Sequence, residues 1–209
     1  MIVRKISNLD LLKLADENAK IYYGCNQEWY STEWQRLSGC GPSVAANIVF
    51  YIERLGKTSN NKETMLLLME ESWAYVTPTS EGIPTTKMFC DAMKLYALAK
   101  GLQVESGCFD LPAERKLRPL FHNMLHFIDA ALLKDAPVAF LNLCNGEEKN
   151  LDSWHWVTII SLEYEEDNSI ALVKVLDDGV IKKIDLALWY KTTNLGGGFS
   201  YFRIKDSNP

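Results

Sequence analysis

The feature of this sequence best suited to chemistry is a cysteine at the predicted start of a helix. The stretch RLSGCGPSVAANIVFYIERLG, residues 36–56, places Cys40 just before Pro42, which suits a first helical turn because its missing N–H costs nothing there. Gly41 is then the expected N-cap, and Gly56 the expected end of the helix. Free amides and the positive dipole end at such a position favour a thiolate and stabilise a neighbouring oxyanion. Cys40 is therefore the candidate nucleophile.

A thiol nucleophile needs a base, and the base needs an orienting acceptor. His155 is the preferred base because it opens the strand predicted over HWVTIISLEY, directly after a polar turn. The next strand, SIALVKVLDD, is expected to return antiparallel and to bring Asp177 and Asp178 back beside His155. Successive side chains of a strand point to opposite faces, so only one carboxylate can reach the ring. We expect Asp177 to orient the imidazole, and Asp178 with Gly179 to form the hairpin turn.

A tetrahedral oxyanion needs two donors, of which the Cys40 N–H can supply one. The second is expected from a side-chain amide, and both Gln27 and Gln35 lie in the segment before the cysteine. The sequence leaves the choice between them open. Solvated glutamines in a polar loop are the alternative interpretation of both.

The other two histidines, His122 and His126, stand one helical turn apart and could share a metal ion. The zincin pattern requires Glu where Asn123 stands, and no third ligand is nearby. We therefore expect neither a metal site nor a cofactor.

Composition excludes several classes of protein. The 209 residues carry 22 basic and 27 acidic side chains, a net charge of −5 that gives no footprint for nucleic acid. The N-terminus lacks the apolar core of a signal peptide, and no apolar run approaches the length of a membrane span. We expect no nucleic-acid or membrane partner, and the sequence does not indicate an oligomeric state.

Five cysteines without regular spacing predict a reduced, cytoplasmic protein without disulfides. Apart from Cys40 they are expected to be packing thiols: Cys25, Cys90, Cys108 and Cys144.

Hydrophobic periodicity predicts helices first and strands second, which indicates an α+β fold with a cleft between a helical lobe and an antiparallel sheet. The expected helices cover 9–20, 42–56, 65–76, 87–101 and 120–135, and the expected strands start at 102, 137, 155, 169, 180 and 199. We expect one domain, with a mainly helical lobe over 1–135 and a mainly β lobe over 136–209. Trp154 and Trp156 flank His155 and are expected either to shape a subsite or to belong to the core. The glycines at 196–198 are expected to form either a lip over the cleft or a turn.

The motifs GCGPSVAANI, HWVTI and VLDDG together resemble the papain-like cysteine peptidase superfamily. Within it, the chain looks like the bacterial branch related to the peptidases that trim double-glycine leaders from bacteriocins. In that branch the nucleophile opens a helix in a CG or CGP element, matched by Cys40, and the base heads a strand, matched by His155. An Asp or Asn ends the following strand, matched by Asp177, and an oxyanion glutamine precedes the cysteine, matched by Gln27 or Gln35.

The resemblance implies a papain-like fold and a cysteine peptidase or amidase that acts on a peptide or amide through a thiol acyl-enzyme. Two alternatives use the same scaffold. An acyltransferase or transglutaminase-like enzyme would pass the acyl group to another acceptor with the same triad, and a catalytically silent module would only bind.

Overall fold

A computed structural model of the chain describes residues 1–54, 61–167 and 169–205, and these form an α+β structure. The α-helices are α1 Glu33–Ser38, α2 Cys40–Arg54, α3 Lys62–Tyr75, α4 Thr86–Ala99, α5 Phe121–Leu133 and α6 Leu186–Thr192. The strands are β1 Ile2–Lys5, β2 Lys13–Ala15, β3 Ile21–Tyr23, β4 Val104–Leu111, β5 Val138–Asn142, β6 His155–Tyr164, β7 Ala171–Asp177, β8 Val180–Asp185 and β9 Gly197–Ile204.

Seven strands form one antiparallel sheet in the order β4-β9-β5-β6-β7-β8, and β1 pairs with β6. The run from β5 to β8 is the meander that the sequence predicts, and β9 returns to pair with β5 on its other side. All residues from Trp156 to Leu162 in β6 are buried, so both faces of this strand are covered. The helices α2 and α5 both pack on β6, which makes it the centre of the molecule.

Helix α2 is buried on all sides. Every residue from Gly41 to Ile52 is buried, whereas the sequence predicts one apolar face. Small residues at Ala45 and Ala46 let neighbouring elements approach the helix closely. A helix enclosed in this way holds its first residue in a fixed position relative to the sheet.

Most of the periodic segments are confirmed: α3, α4 and α5 and the strands β5 to β9 lie where the sequence predicts them. The helix expected over 9–20 is wrong, since only a 3₁₀ turn at Leu9–Leu12 forms there and β2 follows it directly. Leu11, Leu12 and Leu14 are all buried, a spacing that this turn and strand satisfy as well as a helix would. The strand β1 and the helices α1 and α6 were not expected, and Gly56, the predicted helix end, lies outside the described residues.

The prediction that all five cysteines are separate thiols is also wrong. Cys90 on α4 and Cys108 on β4 form a disulfide, while Cys25, Cys40 and Cys144 are free. The two bonded cysteines come from consecutive elements that pack together, a proximity that spacing alone does not reveal. Within the described ranges, no helix combines the length and the apolar character that crossing a bilayer requires.

Candidate active site

Cys40 is the first residue of α2, and Gly39 alone separates this helix from α1. The Ser43 N–H donates to the Gly39 carbonyl at 2.9 Å, so the helix starts one turn before Ser43, and the expected N-cap at Gly41 is wrong. Close packing requires Gly39, whereas a Cβ on Gly41 would meet only the flexible side chain of Ile83, nearest at its end. A Cβ on Gly39 would lie 2.6 Å from Tyr30 Cε2, and one on Gly41 would lie 2.6 Å from Ile83 Cδ1. Pro42 occupies the first turn, as predicted.

The sheet brings the predicted base and its orienting acid together. His155 is the first residue of β6 and Asp177 the last residue of β7, and the two strands pair antiparallel. His155 Nε2 lies 2.7 Å from Asp177 Oδ1, and the carboxylate side chain is only 2% exposed. Because Asp177 occupies Nε2, Nδ1 is the ring nitrogen left to face the thiol.

The charges at this site favour a protonated imidazole. Burial acts to lower the pKa of His155, but hydrogen bonds to Asp177 and Cys40 and the attraction of their charges outweigh it and raise the pKa to about 10. The pKa of Asp177 is lowered in turn: burial opposes this, and the contacts with His155 and Lys182 overcome it. His155 therefore contacts both Cys40 and Asp177, and the imidazolium is the form of the ring that these contacts stabilise.

The hairpin between β7 and β8 has the turn predicted from the sequence. Asp178 and Gly179 have φ angles of +48° and +76°, as a two-residue type I′ turn requires. The Asp178 carbonyl accepts a hydrogen bond from the Asn26 side chain at 3.0 Å. This turn therefore ends β7 with Asp177 aimed at His155 and attaches it to the segment that precedes α1.

The side chain of Gln35 forms hydrogen bonds that stabilise the start of α1. Its side-chain Oε1 accepts from the Thr32 N–H and hydroxyl, while its backbone N–H donates to Thr32 Oγ1, forming a capping box. Its Nε2 donates to Glu70 Oε2 at 2.8 Å. The signature of this box, Thr32 followed three residues later by Gln35, is present in the sequence and explains this glutamine as structural.

Gln27 lies at the junction between α1 and the hairpin turn. Its backbone N–H is 3.4 Å from Asp178 Oδ1, and its side-chain amide donates to the Arg36 carbonyl. The Arg36 carbonyl is the one that the Cys40 N–H would use if α1 and α2 were a single continuous helix. Among the described residues the Cys40 N–H has no acceptor, which leaves it available to an oxyanion. Of the two glutamines, only Gln27 is connected to both α1, the helix directly before Cys40, and the turn that follows Asp177.

A cleft of about 270 Å³ opens beside Cys40. Polar side chains line part of it, namely Ser38, Ser80 and Glu81, and the apolar part of its wall is formed by Trp34, Leu37, Ile83, Pro84, Leu141, Leu143, Trp154 and Trp156. The two tryptophans beside His155 differ. Trp156 is buried and donates to the Ile83 carbonyl at 2.8 Å, whereas Trp154 is 59% exposed and has a φ of +56°. Trp154 shapes the cleft, and Trp156 belongs to the core.

The glycines at 196–198 form a turn and the start of β9. Gly196 has a φ of +71°, and a Cβ on Gly197 would lie 2.0 Å from the Leu141 carbonyl oxygen. Of the two expectations, the turn is confirmed.

The remaining candidates lie outside the site. His122 and His126 are exposed on α5, and no group of three or more metal-ligating side chains is found in the described part of the chain. Cys25 is buried, and burial raises the pKa of its thiol far above the ordinary value. Cys144 differs, since hydrogen bonds from the backbone of Asn194 and Gly146 lower its pKa. It is the thiol that must be distinguished from Cys40 in any labelling experiment.

One residue of the site was not predicted. Lys182 on β8 lies 2.6 Å from Asp177 Oδ2. The sequence contained a signal for this contact, because a two-residue turn at Asp178 and Gly179 fixes the pairing of β7 with β8.

Comparison with models of known families and with curated proteins finds no match to this chain.

Proposed function

We propose that this protein is a cysteine peptidase or amidase with a papain-like fold, acting through a thiol acyl-enzyme. The observation that carries the proposal is the contact between the base and its orienting acid, His155 Nε2 to Asp177 Oδ1 at 2.7 Å, beside a thiol at a helix start. Three separate elements supply these side chains. A buried structural pair would need no free thiol and no adjacent cleft.

The proposed reaction has two stages. Cys40 attacks the carbonyl carbon of a peptide or amide as a thiolate, and the carbonyl π electrons move to the oxygen. The imidazolium of His155 then gives its proton to the leaving amine as the C–N bond breaks, leaving a thioester. Neutral His155 next takes a proton from water, which attacks the thioester and releases the acid and the thiol. Asp177 holds the ring and stabilises its charged form throughout.

Two donors stabilise the oxyanion in both stages. The Cys40 N–H is available at the start of α2, and the Gln27 amide has a second hydrogen beyond the one given to the Arg36 carbonyl. The tryptophan and leucine side chains on the cleft wall favour substrates with an apolar group near the reacting bond.

Labelling with iodoacetamide tests the proposal directly. Peptide mapping should show Cys40 alkylated faster than Cys25 and Cys144, and with an apparent pKa well below about 8.5, the value for a free cysteine. His155→Ala should raise that pKa, whereas His122→Ala should leave it unchanged. A Cys40 that reacts no faster than Cys144 would reject catalysis and leave the silent binding module.

A second experiment separates hydrolysis from acyl transfer. Turnover of fluorogenic peptide amides is followed with and without an added amine acceptor. Hydrolysis should dominate in both conditions. A new amide product formed at the expense of the acid would reassign the protein to the transferases.

The cytoplasmic location expected from the sequence stays a prediction. The Cys90–Cys108 disulfide argues in the opposite direction, because disulfides persist mainly in oxidising compartments.

A further inference from the structure

Lys182 contacts the far side of the acid that orients His155. In the β7–β8 hairpin, Asp177 pairs with Val180 and Val175 pairs with Lys182, so Asp177 and Lys182 are diagonal neighbours on one face of the sheet. The Lys182 ammonium lies 2.6 Å from Asp177 Oδ2, while Asp177 Oδ1 faces His155. Each carboxylate oxygen of Asp177 therefore has its own charged partner.

We propose that Lys182 is a positioning residue that extends the Cys-His-Asp set to a fourth member. It acts through Asp177, since its ammonium prevents the carboxylate from rotating and keeps Oδ1 on His155 Nε2. The inference rests on the proposed function, because positioning has a measurable effect only if His155 and Cys40 act together.

Three carboxylates lie around the β7–β8 hairpin, and Lys182 offsets their negative charge. Asp177 comes from β7, Asp178 from the turn and Asp152 from the segment before β6, and all three attract Lys182. His155 on β6 and Cys40 at the start of α2 complete the set of groups that face one another. Burial and the charge of Asp177 raise the pKa of Asp178. Without Lys182, His155 would be the one cation left beside these carboxylates among the described groups, and Asp177 would protonate at a higher pH.

The adjacent residue provides a matched control. Lys183 stands next to Lys182 on β8, points to the other face of the sheet, and lies 3.5 Å from Glu163 Oε2. Lys183→Met therefore removes the same charge from the same strand without touching Asp177. Lys182→Met removes the contact, Lys182→Arg keeps the charge, and Lys182→Gln keeps a hydrogen-bond donor if the Met variant does not fold.

The pH dependence of Cys40 alkylation by iodoacetamide, resolved from Cys144 by peptide mapping, is the decisive measurement. In Lys182→Met we expect the acidic limb of the profile to move up by about one pH unit, as the loss of an opposite charge predicts. Lys182→Arg should restore the wild-type profile, and Lys183→Met should match it. In Lys182→Gln the limb should also move up, since the charge is lost.

Turnover of a fluorogenic peptide amide gives a second readout. Lys182→Met should lower kcat about tenfold with little change in KM, because a misplaced imidazole affects the reaction more than binding. A profile and kcat in Lys182→Met equal to those of Lys183→Met would overturn the inference while leaving the proposed function standing. If wild-type Cys40 itself reacts no faster than Cys144, the proposed function fails, and the inference fails with it.

Discussion

At the scale of single residues, the two glutamines before Cys40 have separate tasks. Gln35 completes the capping box of α1 and contacts Glu70, whereas Gln27 joins α1 to the hairpin turn that carries Asp177. Sequence position alone could not separate them, since both lie in one polar segment. The capping-box signature could have separated the two glutamines, because it accounts for Gln35 without any catalytic role.

Substitution of each glutamine should therefore have opposite consequences. Gln27→Ala should lower kcat about 100-fold, the cost of one oxyanion donor, with little change in KM. Gln35→Ala should leave kcat within a factor of a few and lower the free energy of unfolding by about 1 kcal/mol, the usual value of a helix cap. Steady-state kinetics and urea unfolding of both variants check this. Equal losses of kcat in the two variants would contradict the assignment.

The backbone conformation of Trp154 lowers the stability of the folded chain. Its φ of +56° is unfavourable for a tryptophan, and its indole is mostly exposed on the cleft wall beside His155. Asparagine tolerates this backbone region well, so Trp154→Asn should leave the unfolding free energy unchanged or raise it by up to about 1 kcal/mol. The same variant should raise KM several-fold because a wall of the cleft is lost.

Trp156→Phe is the control for Trp154→Asn. It removes the hydrogen bond to the Ile83 carbonyl inside the core, so it should lower stability by about 1 kcal/mol. A Trp154→Asn variant that loses stability and keeps its KM would show that the indole serves packing instead of the substrate.

At the scale of elements, the alignment of α2 with β6 sets the distance between Cys40 and His155. A buried polar bridge fixes this alignment: Asn47 of α2 accepts from the Cys25 N–H at 2.8 Å and donates to Thr158 Oγ1 at 3.1 Å. Asn47 lies two turns after Cys40, and Thr158 three residues after His155. The same side chain therefore ties the nucleophile's helix to the base's strand and to the segment before α1.

Removing this bridge should affect both stability and turnover. Asn47→Ala should lower the free energy of unfolding by about 3 kcal/mol, because it leaves the Cys25 N–H and Thr158 without their buried partner. It should also lower kcat more than Thr158→Val does. A double-mutant cycle with Thr158→Val should give a coupling of about 1 kcal/mol. Additive effects on unfolding would show that the two side chains do not depend on each other.

Many of the helices and strands could be predicted from the sequence, and the others could not. The α3–α5 helices and β5–β9 strands follow from periodicity, and the Asp-Gly turn follows from backbone preference, so the ends of β6 and β7 were predictable. The helix α6 was missed although Asp185 caps it by accepting from the Leu188 N–H, since LALWYKT directly continues a strand. The disulfide was missed for another reason: it depends on which elements become neighbours, and local sequence does not contain that information. Lys182 was missed although the turn at Asp178 and Gly179 fixes the strand pairing that places it beside Asp177.

At the scale of the whole molecule, the charge at the site is linked to folding. The folded chain holds His155 with a pKa of about 10, above the value of about 6.5 for an unfolded histidine. The folded chain therefore binds a proton on His155 more tightly than the unfolded chain does. The resulting stability is fully present below about pH 6.5 and is lost as the pH rises through about 10.

The wild type should accordingly lose a few kcal/mol of unfolding free energy between pH 6.5 and pH 10, more than a variant without this ring. His155→Gln is the reference, because it keeps the other titrating groups, including the buried Cys25 thiol whose raised pKa also disfavours folding at high pH. Urea unfolding at several pH values gives the difference between the two proteins. That difference should be largest below pH 6.5 and shrink toward pH 10. A constant difference across this range would mean that the folded protein does not hold His155 protonated, and that His155 and Asp177 do not form an ion pair.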